Sequence, residues 1–317
     1  MKKNTANVTK QHANMTDAER MALVGNLYVE RDIATEIFVQ LDRMRSRAKI
    51  SPEPKSLMLI GETGMGKTTL LKTYLERNPT TMVENCIVRP VVYVSLPVKT
   101  TIRGAAMELL KAMEVPGAGK GTLVDRTHLI EKQLSGQQVE IVLVDETQHV
   151  VEASGEKNLP KVGDFFKDLS KKSKVPFVLA GMPNTTTIFE ENEQLKRLCR
   201  LSNIGPFTSG SSEEFLSFRR FLVSVDKQLP FEKSARFGDC DPARLIYAAT
   251  EGKICHVMTL IREAAILAIA DGSETVQLDH LRQAFESELD SIVGIKNNPF
   301  DQVFMDQVLK NPSNNAA

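Results

Sequence analysis

The sequence predicts an α/β fold, a parallel sheet flanked by helices, followed by a small all-helical domain. Short apolar runs alternate with helical patterns between about residue 51 and Phe207, and beyond Phe207 only helical patterns remain. Strands joined by crossover helices lie parallel, and such a sheet has both faces covered. Ligands of these sheets collect at the carboxyl ends of the strands, where the glycine-rich and acidic motifs of this chain fall.

Residues 1 to about 15 are polar and predict disorder. Thr16 and Glu19 have capping-box spacing and open a helix carrying Met21, Leu23, Val24 and Leu27. A second helix is expected from Asp32 to Ala48, burying Ile33, Ile37, Phe38, Leu41 and Met44. Ser51-Pro52-Glu53-Pro54 then breaks the chain. The expected strands are Leu57–Ile60, Val91–Leu96, Glu140–Val144 and Phe177–Ala180, with a weaker one at Asn203–Phe207. Between them fit helices at Lys67–Arg77, Ile102–Met113, Val124–Leu134, Gly163–Lys172 and Thr185–Leu201.

In the second domain Ser211-Ser212-Glu213-Glu214 opens a helix through Phe215, Phe218, Phe221 and Leu222. Asp241-Pro242 reads as an N-cap followed by a first-turn proline, and Gly252 closes that helix. Helices at Ile254–Ala270 and Leu278–Leu289 follow, and the tail from Gly294 is expected to be mobile. The organisation is a helical segment at 1–50, an α/β core at 51–207, a helical domain at 208–290 and a tail at 291–317.

Apolar residues make up 42% of the chain and charged residues 25%, ordinary values for a folded domain with a sizeable core. Cys86, Cys199, Cys240 and Cys255 are far apart, without metal-ligand spacing, and read as reduced thiols of a cytoplasmic protein. No run reaches the roughly 18 apolar residues of a membrane helix, so no membrane partner is expected. The net charge of zero argues against a uniformly basic coat but allows a local basic stripe.

Gly61-Glu62-Thr63-Gly64-Met65-Gly66-Lys67-Thr68 matches the phosphate-binding pattern G-x-x-x-x-G-K-[ST] without deviation, after an apolar strand and before a helix that Thr69 continues. Glycines let backbone N–H groups turn inward around phosphates, and the helix N-terminus adds partial positive charge. Lys67 would reach the β- and γ-phosphates of ATP, and the Thr68 hydroxyl would take a magnesium position. Ile141-Val142-Leu143-Val144-Asp145-Glu146 is an apolar run ending in two acids. Asp145 would hold magnesium through water, and Glu146 would serve as general base for the attacking water. The second acid favours ATP hydrolysis over phosphoryl transfer to a small molecule. His149 and Gln148 read as local hydrogen-bonding residues outside the catalytic set.

These motifs, the strand at Pro176–Gly181 and the helical C-terminal part resemble an AAA+ ATPase with its lid. Asp145-Glu146-Thr147-Gln148-His149 and Ala180-Gly181-Met182-Pro183-Asn184 further resemble the TniB/TnsC transposition ATPases, over roughly residues 20–290. The resemblance implies a polar sensor at Asn184 or Thr185. It also implies an arginine finger supplied to a neighbouring subunit by Arg197 or Arg200. At the usual lid position for a second sensor there is no arginine, only Lys253 as a weak substitute.

Lys99, Thr101 and Arg103 lie in a basic, hydroxyl-bearing segment free of acids, and Lys120 and Thr122 in a glycine-rich one. Such residues bind phosphates without reading bases. The plainer reading is a pair of solvated loops; by resemblance they would line the pore of a ring or filament around DNA. With 6% aromatics and no tryptophan, a base-stacking platform is not indicated, so duplex backbone binding fits better. The expected function is ATP-dependent assembly of a homo-oligomer, ring or helical filament, on duplex DNA. It would select or prepare target DNA for a DNA transposase together with a target-selection protein, and hydrolysis would drive disassembly. The rival is a DNA-independent ATPase of a secretion or signalling machine.

Overall fold

The computed structural model describes residues 15–51, 53–84, 86–155, 158–190, 193–294 and 297–310. The described residues divide into two compact units, one within 33–205 and the other made of those up to 32 and from 206 onward.

The first unit is a five-stranded sheet. Its strands are β1 (Ser56–Ile60), β4 (Val91–Ser95), β5 (Ile141–Asp145), β6 (Phe177–Gly181) and β7 (Cys199–Asn203). They lie in the order β4-β5-β6-β1-β7, and every pairing is parallel. A small antiparallel hairpin, β2 (Thr81–Val83) with β3 (Cys86–Val88), forms a separate sheet that no sequence pattern announced. Side chains alternate across each strand, so Met58, Ile60, Val142, Val144 and Leu179 point into one apolar layer. Leu57, Leu59, Ile141, Leu143 and Val178 point into the other. The first layer is closed by α4 (Ile102–Ala112), α5 (Leu123–Gly136), α6 (Gln148–Ser154) and α7 (Leu159–Ser173). The second is closed by α2 (Asp32–Ala48) and α3 (Lys67–Glu76). Helices on both faces bury the central strands β1, β5 and β6, which explains why these read as unbroken apolar runs.

The stretch expected as one helix over Thr185–Leu201 is a 3₁₀ turn (Pro183–Thr186), α8 (Thr187–Glu190) and α9 (Glu193–Leu198), followed directly by β7. The last strand is therefore Cys199–Asn203 rather than Asn203–Phe207. It is an edge strand with polar residues on its open side, so its sequence lacks the apolar run that marks a central strand. Its end is fixed where the Ile204 N–H donates to Ile60 O at 2.7 Å. α7 begins four residues before the expected Gly163, with Pro160 in its first turn.

The second unit gathers α1 (Asp17–Gly25), α10 (Ser212–Asp226), α11 (Cys240–Thr250), α12 (Ile254–Ala270), α13 (Leu278–Glu288), α14 (Asp290–Val293) and α15 (Gln302–Lys310). The capping boxes at Thr16 with Glu19 and at Ser211 with Glu214 are both formed. α12 is the core helix, with Val257, Leu260, Ile261, Ala264, Ala265 and Ala268 fully buried. The chain enters this unit at Phe207, whose N–H donates to Gly252 O at 2.9 Å. A side chain at Gly252 would put its Cβ 2.3 Å from Phe207 O, and its φ of +66° suits glycine besides.

Three expectations are corrected. The N-cap of α11 is Asp239, not Asp241, and Pro242 falls in the first turn, where its missing N–H has no intrahelical partner to lose. Residues 1–50 do not make one segment, because Val24 and Leu27 join the helical core whereas Ile37 and Leu41 join the sheet. Part of the expected mobile tail is ordered: α15 is helical and Phe300 is buried against Phe285. Residues 1–14, and 311–317 at the end of that tail, lie outside the described residues. Among the described residues no helix is long and apolar enough to cross a membrane.

Candidate functional site

The loop between β1 and α3 holds its shape through glycine. Gly64 and Gly66 have φ of +79° and +86°, and Gly66 is the left-handed N-cap of α3. Gly61 has a different reason: a Cβ there would lie 2.4 Å from Ile204 O. Glu62 and Thr63 form the outer rim, Met65 is buried, and Thr69 lies in the first turn of α3. The loop is thus a cradle of backbone N–H groups at a helix N-terminus, the donor set that phosphates require.

Lys67 is buried, and its ammonium donates to Gly61 O at 2.6 Å and Glu62 O at 2.9 Å. Burial pulls its pKa down, and the carboxylates of Glu146, Asp145 and Glu62 oppose that pull. Thr68 donates its hydroxyl to Asp145 Oδ2 at 2.7 Å, and the Tyr93 hydroxyl donates to the same oxygen at 3.0 Å. Burial, with the Asp145 carboxylate alongside, drives the Tyr93 phenol far above its ordinary range, so it stays a donor. Asp145 Oδ1 accepts the Glu146 N–H at 2.9 Å. Asp145 is only 1% exposed, so its orientation is fixed by three donors. Hydroxyl and carboxylate oxygens side by side are the hard donors that magnesium takes.

Glu146 has a φ of +57°, which costs a non-glycine residue about 1–2 kcal/mol. Gln148 Nε2 donates to Glu146 Oε2, and Gln148 Oε1 accepts the Met182 N–H at 3.2 Å. Gln148 is 4% exposed and therefore links the ends of β5 and β6. The expectation that left it outside the site misses this linkage; its place three residues after Asp145 was the available signal. His149 has its Nε2 3.9 Å from Glu146 Oε2 and its Nδ1 3.8 Å from Glu152 Oε2.

The two sensor candidates separate in space. Asn184 is exposed and donates to Glu152 Oε1 at 3.1 Å. Thr185 is fully buried beside Gly181, where an added Cβ would lie 2.3 Å from the Thr185 hydroxyl and 3.0 Å from Gln148 Oε1. That hydroxyl has no hydrogen-bond partner among the described residues. Arg197, in the last turn of α9, and Arg200, the second residue of β7, are exposed. Arg200 pairs with Leu57 near the start of β1, whereas the phosphate loop follows its end, so Arg200 stands away from the chain's own loop.

The two basic segments meet through a residue that sequence reading passed over. Arg126 is buried, and its guanidinium donates to Arg103 O at 2.8 Å, Lys120 O at 3.2 Å and Gly119 O. Arg103 itself donates to Gly121 O at 2.9 Å. Lys99, Arg103 and Lys120 are exposed, and Lys99 sits at a φ of +59°. Thr101 and Thr122 are helix N-caps: Thr101 accepts the Gly104 N–H at 3.1 Å, and Thr122 donates its hydroxyl to Asp125 at 2.8 Å. The Thr122 proton is thus engaged by a carboxylate, whose pKa is lowered by its bonds from the Thr122 backbone and hydroxyl.

A family model for the bacterial TniB protein matches residues 24–204 of this chain. The chain belongs to the TniB family. Comparison with curated protein sequences finds no match. Among solved structures, this TniB-family chain is similar to the ORC2 protein of Aeropyrum pernix in ADPNP–ADP complexes, with a TM-score of 0.57 and 15% identity, covering 86% of this chain and 73% of that one. It is also similar to the Aeropyrum pernix ORC1 protein in complex with DNA, with a TM-score of 0.56 and 19% identity over 87% and 71% of the two chains. Cdc6p of Pyrobaculum aerophilum gives 0.57 and 14% over 84% and 70%. These likenesses show the fold: an AAA+ ATPase core with a helical C-terminal region.

Proposed function

We propose that this TniB-family chain hydrolyses ATP and uses the ATP-bound state to assemble on duplex DNA, where it selects or prepares target DNA for a DNA transposase. The convergence of Lys67, Thr68, Asp145 and Glu146 at the carboxyl ends of β1 and β5 carries the reading. The loop N–H groups and Lys67 would hold the phosphates. Thr68 and Asp145 would hold magnesium, which supplies neutralisation of phosphate charge when bound. Glu146 would take a proton from water on its carboxylate, positioned by Gln148. The unpartnered Thr185 hydroxyl, beside Gln148, is the better placed of the two sensor candidates.

The DNA part of the reading is supported by family membership, by the exposed Lys99, Arg103 and Lys120, and by the likeness to an ORC1 protein described in complex with DNA. Homo-oligomer assembly belongs to the same reading, with Arg197 or Arg200 offered to a neighbour's phosphate loop; Arg200 stands away from the chain's own. A target-selection protein would complete the machinery.

ATP hydrolysis with and without plain duplex DNA tests the whole. The wild type should hydrolyse ATP faster with DNA, Lys67→Ala should lose ATP binding, and Glu146→Gln should bind ATP and DNA yet hardly turn over. Hydrolysis indifferent to DNA would favour the DNA-independent reading, and wild-type turnover by Glu146→Gln would remove Glu146 as base.

A further inference from the structure

A cavity of about 460 Å³ opens at the amino ends of β1 and β7, away from the phosphate loop. Arg43, Arg47, Lys55 and Arg200 line it, and no acidic residue does. All four are exposed, and none makes an ion pair or hydrogen bond among the described residues. The contrast lies within one helix. On α2, Arg45 donates to Glu140 Oε2 at 2.9 Å and lies 3.7 Å from Asp42 Oδ1, and Lys49, just past the helix, reaches Glu140 Oε1 at 2.6 Å, so these two cations have carboxylate partners. Arg43 and Arg47, four residues apart on the other face, are like charges side by side with no counter-charge. The fold thus concentrates four cations around a hollow that contains nothing to balance them.

The cavity is not purely electrostatic. Met44, Ala48 and Pro54 give it an apolar floor, and Ile50 at its edge is 86% exposed. We infer that this cavity binds an acidic peptide segment of a partner protein, its carboxylates on the cations and an apolar side chain on the floor. Three of the four cations are arginines, whose planar fork pairs bidentately with carboxylates. A DNA backbone would satisfy the charges but brings no apolar side chain to Met44, Pro54 and Ile50. The site is independent of the phosphate loop, and the inference does not rest on the proposed function.

Fluorescence anisotropy of the full chain with a short labelled peptide alternating glutamate and leucine is the test. Saturable binding that weakens with salt is expected. Replacing the glutamates by glutamine, or the leucines by serine, should each weaken it. Arg43→Glu with Arg47→Glu should weaken it on the order of tenfold or more, with ATP binding and the circular dichroism spectrum unchanged. Ile50→Ser, which keeps every charge, should weaken it less. Three results would overturn the inference: no binding of the peptide; peptide binding indifferent to the charge reversal; or a reversal that instead lowers affinity for duplex DNA or changes the size of the assembly by light scattering. The last pair would assign the cavity to DNA or to a second copy of the chain.

Discussion

Gln148 holds Glu146 and Met182 at once: its Nε2 donates to the Glu146 carboxylate while its Oε1 accepts the Met182 N–H at 3.2 Å. The carboxylate at the tip of β5 is thereby referenced to the backbone that leaves β6. Gln148→Ala should leave ATP affinity unchanged and lower kcat on the order of tenfold, because the base remains but wanders from its proton. Gln148→Glu should lose more, since a second carboxylate beside Glu146 repels the first. Steady-state kcat and KM for both variants decide it; an unchanged kcat in Gln148→Ala would make the link structural only.

The two arginines near the end of α9 are predicted to differ. Arg197→Ala should reduce hydrolysis by on the order of a thousandfold if it is a finger, and mixing it with Lys67→Ala should restore part of the rate by creating one intact composite site. Arg200→Ala is expected to show no such rescue, since its side chain lines the basic cavity. Rescue by Arg200→Ala and not by Arg197→Ala would reverse the assignment.

For the basic loops, Lys99→Ala and Arg103→Ala should weaken DNA binding equally on unrelated duplexes. Each lost contact should reduce the slope of log affinity against log salt by about 1. Arg126→Met should lower the stability of the chain by about 2–3 kcal/mol in urea unfolding, because three backbone carbonyls lose a charged donor. It should also weaken DNA binding, although Arg126 is buried. Titrations at three salt concentrations read both effects, and DNA affinity unmoved by all three variants would refute the loop assignment.

Acid sensitivity is expected in the helical unit. The Asp271 carboxylate is lowered from 3.8 to about 2 by hydrogen bonds from Ser273 and His280. A carboxylate depressed in the folded state adds stability above its unfolded value and loses it as pH falls through the folded one. The gap in urea midpoint between wild type and Asp271→Asn should therefore stay constant down to about pH 5 and close between about pH 4 and pH 2. A gap that persists at pH 2 would deny the linkage.

Much of the core was legible because its physics is local. Apolar runs ending in Gly61 and Asp145 leave few alternatives to a buried parallel strand with a functional tip, and the capping boxes at Thr16 and Ser211 write their helix starts in four residues. What stayed hidden depends on distant partners. β7 is recognisable only through its pairing with β1, because Cys199-Arg200-Leu201-Ser202-Asn203 has the pattern of a helix end. Gln148 and Arg126 act by joining segments far apart in sequence, and no spacing rule reports that. Thr122, expected as a phosphate contact in a glycine-rich segment, reveals its role as the N-cap engaged with Asp125 only in three dimensions.

The two units differ in how they can come into being during synthesis. Residues 33–205 are contiguous, so the sheet and its helices can close as soon as they leave the ribosome. The helical unit is not. Val24 of its first helix and Leu27 just beyond that helix emerge at the outset, whereas Val257 and Leu260 of the core helix arrive only after the entire sheet has been made. The nascent chain must therefore carry an unmatched amphipathic helix throughout translation of the sheet unit. A fragment beginning at residue 206 would expose the apolar residues that Val24 and Leu27 cover.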